Sequence, residues 1–305
     1  LSSETPSIPE TTASALTGLA AASEVERLRN APGWYTADLC DDWNFMTPSG
    51  GVLMSIALRA MQAELDDPEL RPLSATTLFM SPVPAGPMEI RVELLRRGGV
   101  AAQLRAELSS TTLPGPGLEV SATFARRLAN GPSFTDAIFP DVPLPEDVPP
   151  EAPMERPAFF DNLEIVQVEG PTVFSEAGWE PSNALVTRWY RYRVPQFDDA
   201  GRFDRMALPP IIDNMPPAAF ARIGSEGPPL HAPSLDLTVH FLDDCADEWL
   251  LLRHRAKKAH GGFGTADVEV WSRGGRLVAV GTQMMIFRSM PADPPTGFRR
   301  SSGTS

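Results

Sequence analysis

The chain has 305 residues, 42% hydrophobic and 21% charged, with a formal net charge of −13. That balance is a globular protein's, and the negative charge argues against nucleic acid or an anionic membrane surface as a generic partner. No apolar run is long enough for a membrane-spanning helix.

In chain order, residues 1–32 read as a flexible lead, with a short helix near Ala20 to Leu28. The apolar run Leu16 to Ala22 has no basic residue before it, which argues against a secretory signal. Cys40 and Cys245 lie far apart and read as buried thiols of a reducing compartment, so a cytoplasmic location is expected. A first unit, 33–129, starts near Trp34. Gly50-Gly51 leads into Val52, Leu53, Ile56, Ala57, Ala60 and Met61, apolar positions at helical spacing over 50–65. Strands are expected at 73–80, 88–96, 101–110 and 117–127, parted by Gly- and Pro-rich turns.

Residues 130–157 carry eight prolines and read as an extended linker. A second unit, 158–290, repeats the order, and 291–305 reads as a flexible tail. Ala184 to Val194 is strand-like by its β-branched and aromatic content. A helix is expected over 206–223, with Pro216-Pro217 set to kink or break it. Strands follow at 234–242, 248–258, 263–271 and 277–287. An offset of about 162 residues lays the first unit on the second and brings Ser74 onto Asp236. The fold class is therefore α+β: a double hotdog, two tandem domains in which an antiparallel sheet wraps a long helix. The fused sheet is expected to have eight strands, with a face left over for a homodimer or tetramer.

Polar residues in the second unit carry the candidate chemistry. Alternation puts Asp236, Thr238 and His240 on one face of their strand, and Leu235, Leu237, Val239 and Phe241 on the core face. Asp236 is a candidate base or a solvated carboxylate. Gln283, in an apolar strand, holds a water or bonds the backbone. Lys257 and Lys258 are the only lysines in the chain. Lys257 has three readings: an ion pair with Asp236, a ligand for a substrate phosphate with Lys258 and Arg255, or a solvated strand-end lysine. His260 is a substitute base or donor, or a turn residue beside Gly261-Gly262. Gly50 and Gly51 bring a backbone N–H at a helix start toward a carbonyl, or make a tight turn. Asp213, inside the second helix, is a further carboxylate candidate ranked below Asp236. No nucleophile elbow, phosphate loop, dinucleotide fingerprint or metal-spaced Cys/His cluster is present.

The segments Ser49-Gly50-Gly51-Val52-Leu53, Ser234 to Phe241, Glu248-Trp249-Leu250-Leu251 and Gly275 to Gln283 resemble the acyl-CoA thioesterase II family, and more closely its TesB-like double-hotdog proteins. The resemblance implies hydrolysis of acyl-CoA or a related thioester, without cofactor or metal. It also implies an Asp, a hydroxyl residue and a Gln that hold and activate water. The Asp falls on Asp236 and the Gln on Gln283. The hydroxyl position falls on or near Lys257, a departure that weakens the case for hydrolysis. It leaves a non-hydrolytic acyl-CoA or lipid-binding protein, or a biosynthetic lyase or cyclase on the same scaffold, as alternatives.

Overall fold

The computed structural model describes residues 16–149, 156–173, 175, 177–226 and 229–290. In the first half come α1 (Leu19–Ala22), β1 (Glu26–Arg27), β2 (Trp34–Leu39), α2 (Gly50–Leu65), β3 (Arg71–Phe79), β4 (Gly86–Arg97), β5 (Ala101–Ser110) and β6 (Leu118–Ala125). The second half has β7 (Leu163–Glu169), β8 (Leu185–Tyr192), α3 (Leu208–Ile212), α4 (Pro216–Ile223), β9 (Leu230–His231), β10 (Ser234–Phe241), β11 (Leu250–His260), β12 (Phe263–Ser272), β13 (Leu277–Ile286) and β14 (Arg288–Ser289).

Twelve strands form one sheet in the order β1-β2-β4-β5-β6-β3-β10-β13-β12-β11-β8-β7, so eight was too few. The extra strands extend both edges, where short or mixed-polarity segments such as Glu26–Arg27 and Leu163–Glu169 give little alternation to read. The halves join at β3 and β10, which pair antiparallel with Thr76 opposite Thr238. Their hydroxyls hydrogen-bond at 2.9 Å. The result is a double hotdog.

Helix α2 is buried on nearly every side, from Gly51 to Ala60 apart from half-buried Arg59. It has the all-round apolar sequence of a core helix. The second central helix is not continuous. Pro216 and Pro217 cannot donate to the carbonyls of Ile212 and Asp213 four residues back, so it breaks into α3 and α4. The break leaves Asp213 at the C-terminal end of α3, its side chain free to turn toward α2.

Two expected flexible segments are partly built into the fold. Leu19 of the lead is fully buried, and the Ala20 N–H donates to Gln196 Oε1, which ties it to the second half. In the Pro-rich segment, Phe139, Val142 and Leu144 pack against Trp189, Leu251 and Trp271 on the outer face of the sheet. Trp189 Nε1 donates to the Pro143 carbonyl at 2.9 Å. Proline-rich chain makes such a strap because it has few N–H groups left to satisfy. The tail 291–305 and residues 1–15 lie outside the described residues.

Candidate active site

Two bulges decide which side chains reach the helix face of the second half. On β10, Ser234 pairs with Met285 and Asp236 with Met284, so Leu235 is an extra residue. A bulge of this kind shifts the alternation by one. Leu237, Val239 and Phe241 keep the core face, but Leu235 is 37% exposed and Ser234 takes the inward place instead. Ser234 therefore shares a face with Gln283, which pairs across with Leu237. On β11 the register slips between Ala256 and Lys258, so Lys257 is itself an extra residue.

Around Gln283 the structure gathers a polar cluster from both halves. Gln283 is 1% exposed, and its Nε2 donates to Asp213 Oδ1 at 2.8 Å and to Ser234 Oγ. Ser234 Oγ donates to the same carboxylate oxygen at 3.1 Å. The other oxygen, Asp213 Oδ2, accepts from the Gly51 N–H at 2.9 Å. That amide belongs to the first turn of α2, where unpaired N–H groups and the helix dipole favour a negative charge.

Glycine is required there by space. A Cβ on Gly51 would stand 2.3 Å from the Pro209 carbonyl oxygen, and one on Gly50 would stand 2.6 Å from the Phe79 ring.

Burial pushes the Asp213 carboxyl up to about 6, while the Gly51 amide and the Ser234, Ser49 and Gln283 side chains pull it down. Burial wins, although the residue keeps partial contact with solvent at the helix break. A carboxyl with this pKa is largely ionised at neutral pH yet basic enough to take a proton. Three buried polar atoms on residues at or beside the cluster have no hydrogen-bond partner among the described residues: Thr77 Oγ1, Asn214 Nδ2 and Gln283 Oε1. Unmet capacity of this kind accommodates a water and a substrate carbonyl.

Of the residues singled out from sequence, the structure brings together Gln283, Gly51 and the lower-ranked Asp213. Asp236 is not among them. It lies on the opposite face, where Oδ1 accepts from the Met284 N–H at 2.9 Å across the bulge. Lys257 also lies outside, ion-paired with Asp267 at 3.1 Å rather than with Asp236. Lys258 and Arg255 are exposed on that side, opposite Thr265 and Asp267. His260 is exposed at the β11–β12 turn, where Gly261 and Gly262 take positive φ. A hydroxyl that the sequence reading did not single out, that of Ser234, stands beside Gln283. An unexpected break in alternation at Leu235 was the only signal for it. The Lys257–Asp267 pair is open to solvent, with side chains 55% and 36% exposed. Replacing Lys257 with Ala is expected to shift stability, read by denaturant unfolding, by no more than about 1 kcal/mol.

Family comparison agrees with this architecture. Residues 39–127 match the acyl-CoA thioesterase N-terminal domain and residues 140–287 the acyl-CoA thioesterase C-terminal domain. The chain belongs to the acyl-CoA thioesterase family. Among solved structures it is similar to a hot dog fold protein of unknown function from Alicyclobacillus acidocaldarius (22% identity, TM-score 0.75, covering 90% of this chain and 98% of that one). It is also similar to the acyl-CoA thioesterase II TesB2 of Mycobacterium marinum (22% identity, TM-score 0.70, 90% and 99% covered). A tesB protein of Mycobacterium avium subs paratuberculosis has 21% identity and a TM-score of 0.71, with 88% and 98% covered. At these identities the likeness is one of fold. No curated protein matches the chain. Among the described residues, no helix is long and apolar enough to cross a membrane.

Proposed function

We propose that this chain hydrolyses acyl-CoA thioesters at the Asp213–Ser234–Gln283 cluster. Membership of a thioesterase family supports hydrolysis in general. The observation that carries the specific reading is one carboxylate, raised in pKa by burial, joined to an amide, a hydroxyl and a helix-start N–H.

In this reading Ser234 and Gln283 hold a water against Asp213. Asp213 takes a proton as the water oxygen attacks the thioester carbon. The carbonyl oxygen becomes an oxyanion, favoured by the positive end of α2. When the carbonyl reforms, the C–S bond breaks. The thiolate leaves as CoA and recovers the proton held by Asp213, giving a free acid. A thioester is reactive enough for this modest machinery. In this reading Ser234 supplies the hydroxyl whose loss at Lys257 supports non-hydrolytic binding.

The test is release of free thiol from short, medium, long and aromatic acyl-CoAs by the purified chain. Absence of turnover on all of them would overturn the reading. Its pH dependence is a separate check. A base with a pKa of about 6 gives a rate at limiting substrate that rises tenfold per pH unit below 6 and levels above it. A profile flat from pH 5 to 8 would exclude Asp213 as the base.

A further inference from the structure

The second half hides polar atoms for which the proposed chemistry has no use. His254 on β11 is fully buried, and neither ring nitrogen has a hydrogen-bond partner among the described residues. Tyr190 on the adjacent β8 is 1% exposed, and its hydroxyl likewise has none. The two rings meet edge to face with centroids 6.3 Å apart. The Arg188 guanidinium lies near both and pulls the Tyr190 pKa down against burial, but it meets neither ring with hydrogen-bond geometry, and its Nε donates to Gln167 Oε1 at 2.8 Å, toward the sheet edge. The carbonyls of Val186 and Ile211 border the imidazole without hydrogen-bond geometry.

Burial first, and then Arg188, push His254 down to about 3, so the ring is neutral. A neutral imidazole offers one donor and one acceptor, and a phenol offers both. Leaving such groups dry costs stability, because each loses its bonds to water and gains none in return. Two side chains left unpartnered together are unusual in a core and point to a partner that comes and goes.

Their position says what that partner is attached to. His254 pairs with Val268, and Val268 with Gly281, two residues before Gln283 on the same face. Two strand spacings and two residues of rise put His254 roughly 12 Å from Gln283. The inward positions between them are Val268, directly beside His254, and the small Ala256, Ala266 and Gly281. Over Gly281 lie Ile212 and Met215, which flank Asp213 in the broken helix. Met215 is unbranched and the easier of the two to displace.

We propose that the acyl chain of the thioester runs past Gly281 by displacing Met215, and that His254 and Tyr190 are the polar end of its path. They would select chains bearing an uncharged hydroxyl or oxo group about nine or ten C–C bonds from the thioester. The inference rests on the Asp213 cluster being where the thioester sits.

It is tested by comparing kcat/KM for a plain medium-chain acyl-CoA and for the same chain hydroxylated near its ω end. Wild type is expected to prefer the hydroxylated ester about tenfold. Tyr190→Phe, which keeps the ring in place, should cut that preference severalfold. His254→Leu should remove it. Preference for the plain chain in wild type, or an unchanged ratio in a Tyr190→Phe variant with wild-type Tm, overturns the proposal. If neither ester is turned over, the hydrolytic reading fails separately. Calorimetric binding of the same two esters then gives the preference, and equal affinity overturns it.

Discussion

Asp213→Asn is expected to lower kcat for thiol release by roughly 10²- to 10⁴-fold, the range a positioned base supplies, while making the protein more stable at neutral pH. The two effects have one cause. The native carboxyl titrates near 6, above its ordinary value of 3.8. Between those values the folded state binds a proton that the unfolded state does not. Stability from this group is therefore fully present below about pH 4 and is lost as pH rises through 6. A neutral amide escapes that loss, but its NH2 must face donors that Asp213 accepts from, either the Gly51 N–H or Ser234 and Gln283, which offsets part of the gain. The gain over wild type should approach about 3 kcal/mol at most, less by whatever solvent reaches the helix break. It should vanish near pH 4. Denaturant unfolding at pH 4 and 8 reads the stability, and the thiol assay reads the rate. Asp236→Asn is the companion experiment: its carboxylate serves the Met284 N–H on the outer face, so activity should survive. Loss of activity in Asp236→Asn with Asp213→Asn unimpaired would reverse the assignment.

Gly51→Ala is expected to be damaging far beyond its one methyl group. The added carbon would meet the Pro209 carbonyl oxygen at 2.3 Å and Pro210 Cα at 2.6 Å. These are backbone atoms of a proline pair in α3, so no rotamer change relieves the contact. The start of α2 must draw away from α3, and the Gly51 N–H leaves Asp213. A cost of about 3 kcal/mol or more follows, with kcat falling even in the fraction that stays folded. A Gly99→Ala variant, where an added Cβ meets nothing within 4 Å, controls for loss of a glycine as such. A Gly51→Ala protein with wild-type Tm and rate would show that α2 and α3 do not meet as described.

Much of the architecture was legible because periodicity and turn residues are local signals. Helix α2 and strands β3–β6 and β10–β13 can be read from alternation and glycine punctuation. The broken second helix is legible in Pro216-Pro217. The site was legible only in part, because its geometry depends on strand parity. Counting alternate residues from Leu237 puts Ser234 outside, and only the extra residue Leu235 turns it in. Asp213 carries no local mark as a ligand of α2, since its partners lie 162, 21 and 70 residues away. Lys257 drew notice for being rare, yet rarity has no bearing on which face a bulge residue takes.

The bulges on β10 and β3 have a consequence for stoichiometry. The slip at Leu235 is mirrored at Leu73, where Pro72 pairs with Phe124 and Ser74 with Thr123. By that register the counterpart of Ser234 is Pro72, and that of Gln283 is Ala122. Arg205 donates to the Pro72 carbonyl at 2.8 Å and, with Arg71, grips Asp244 at 2.9 and 2.7 Å. Two separate identical subunits could not hold Ser at one end and Pro at the other. Joined in one chain, the two copies differ: one end of the seam carries the candidate site and the other a clamp. Each chain should therefore bind one equivalent of substrate, where a symmetric pair of hotdogs would bind two.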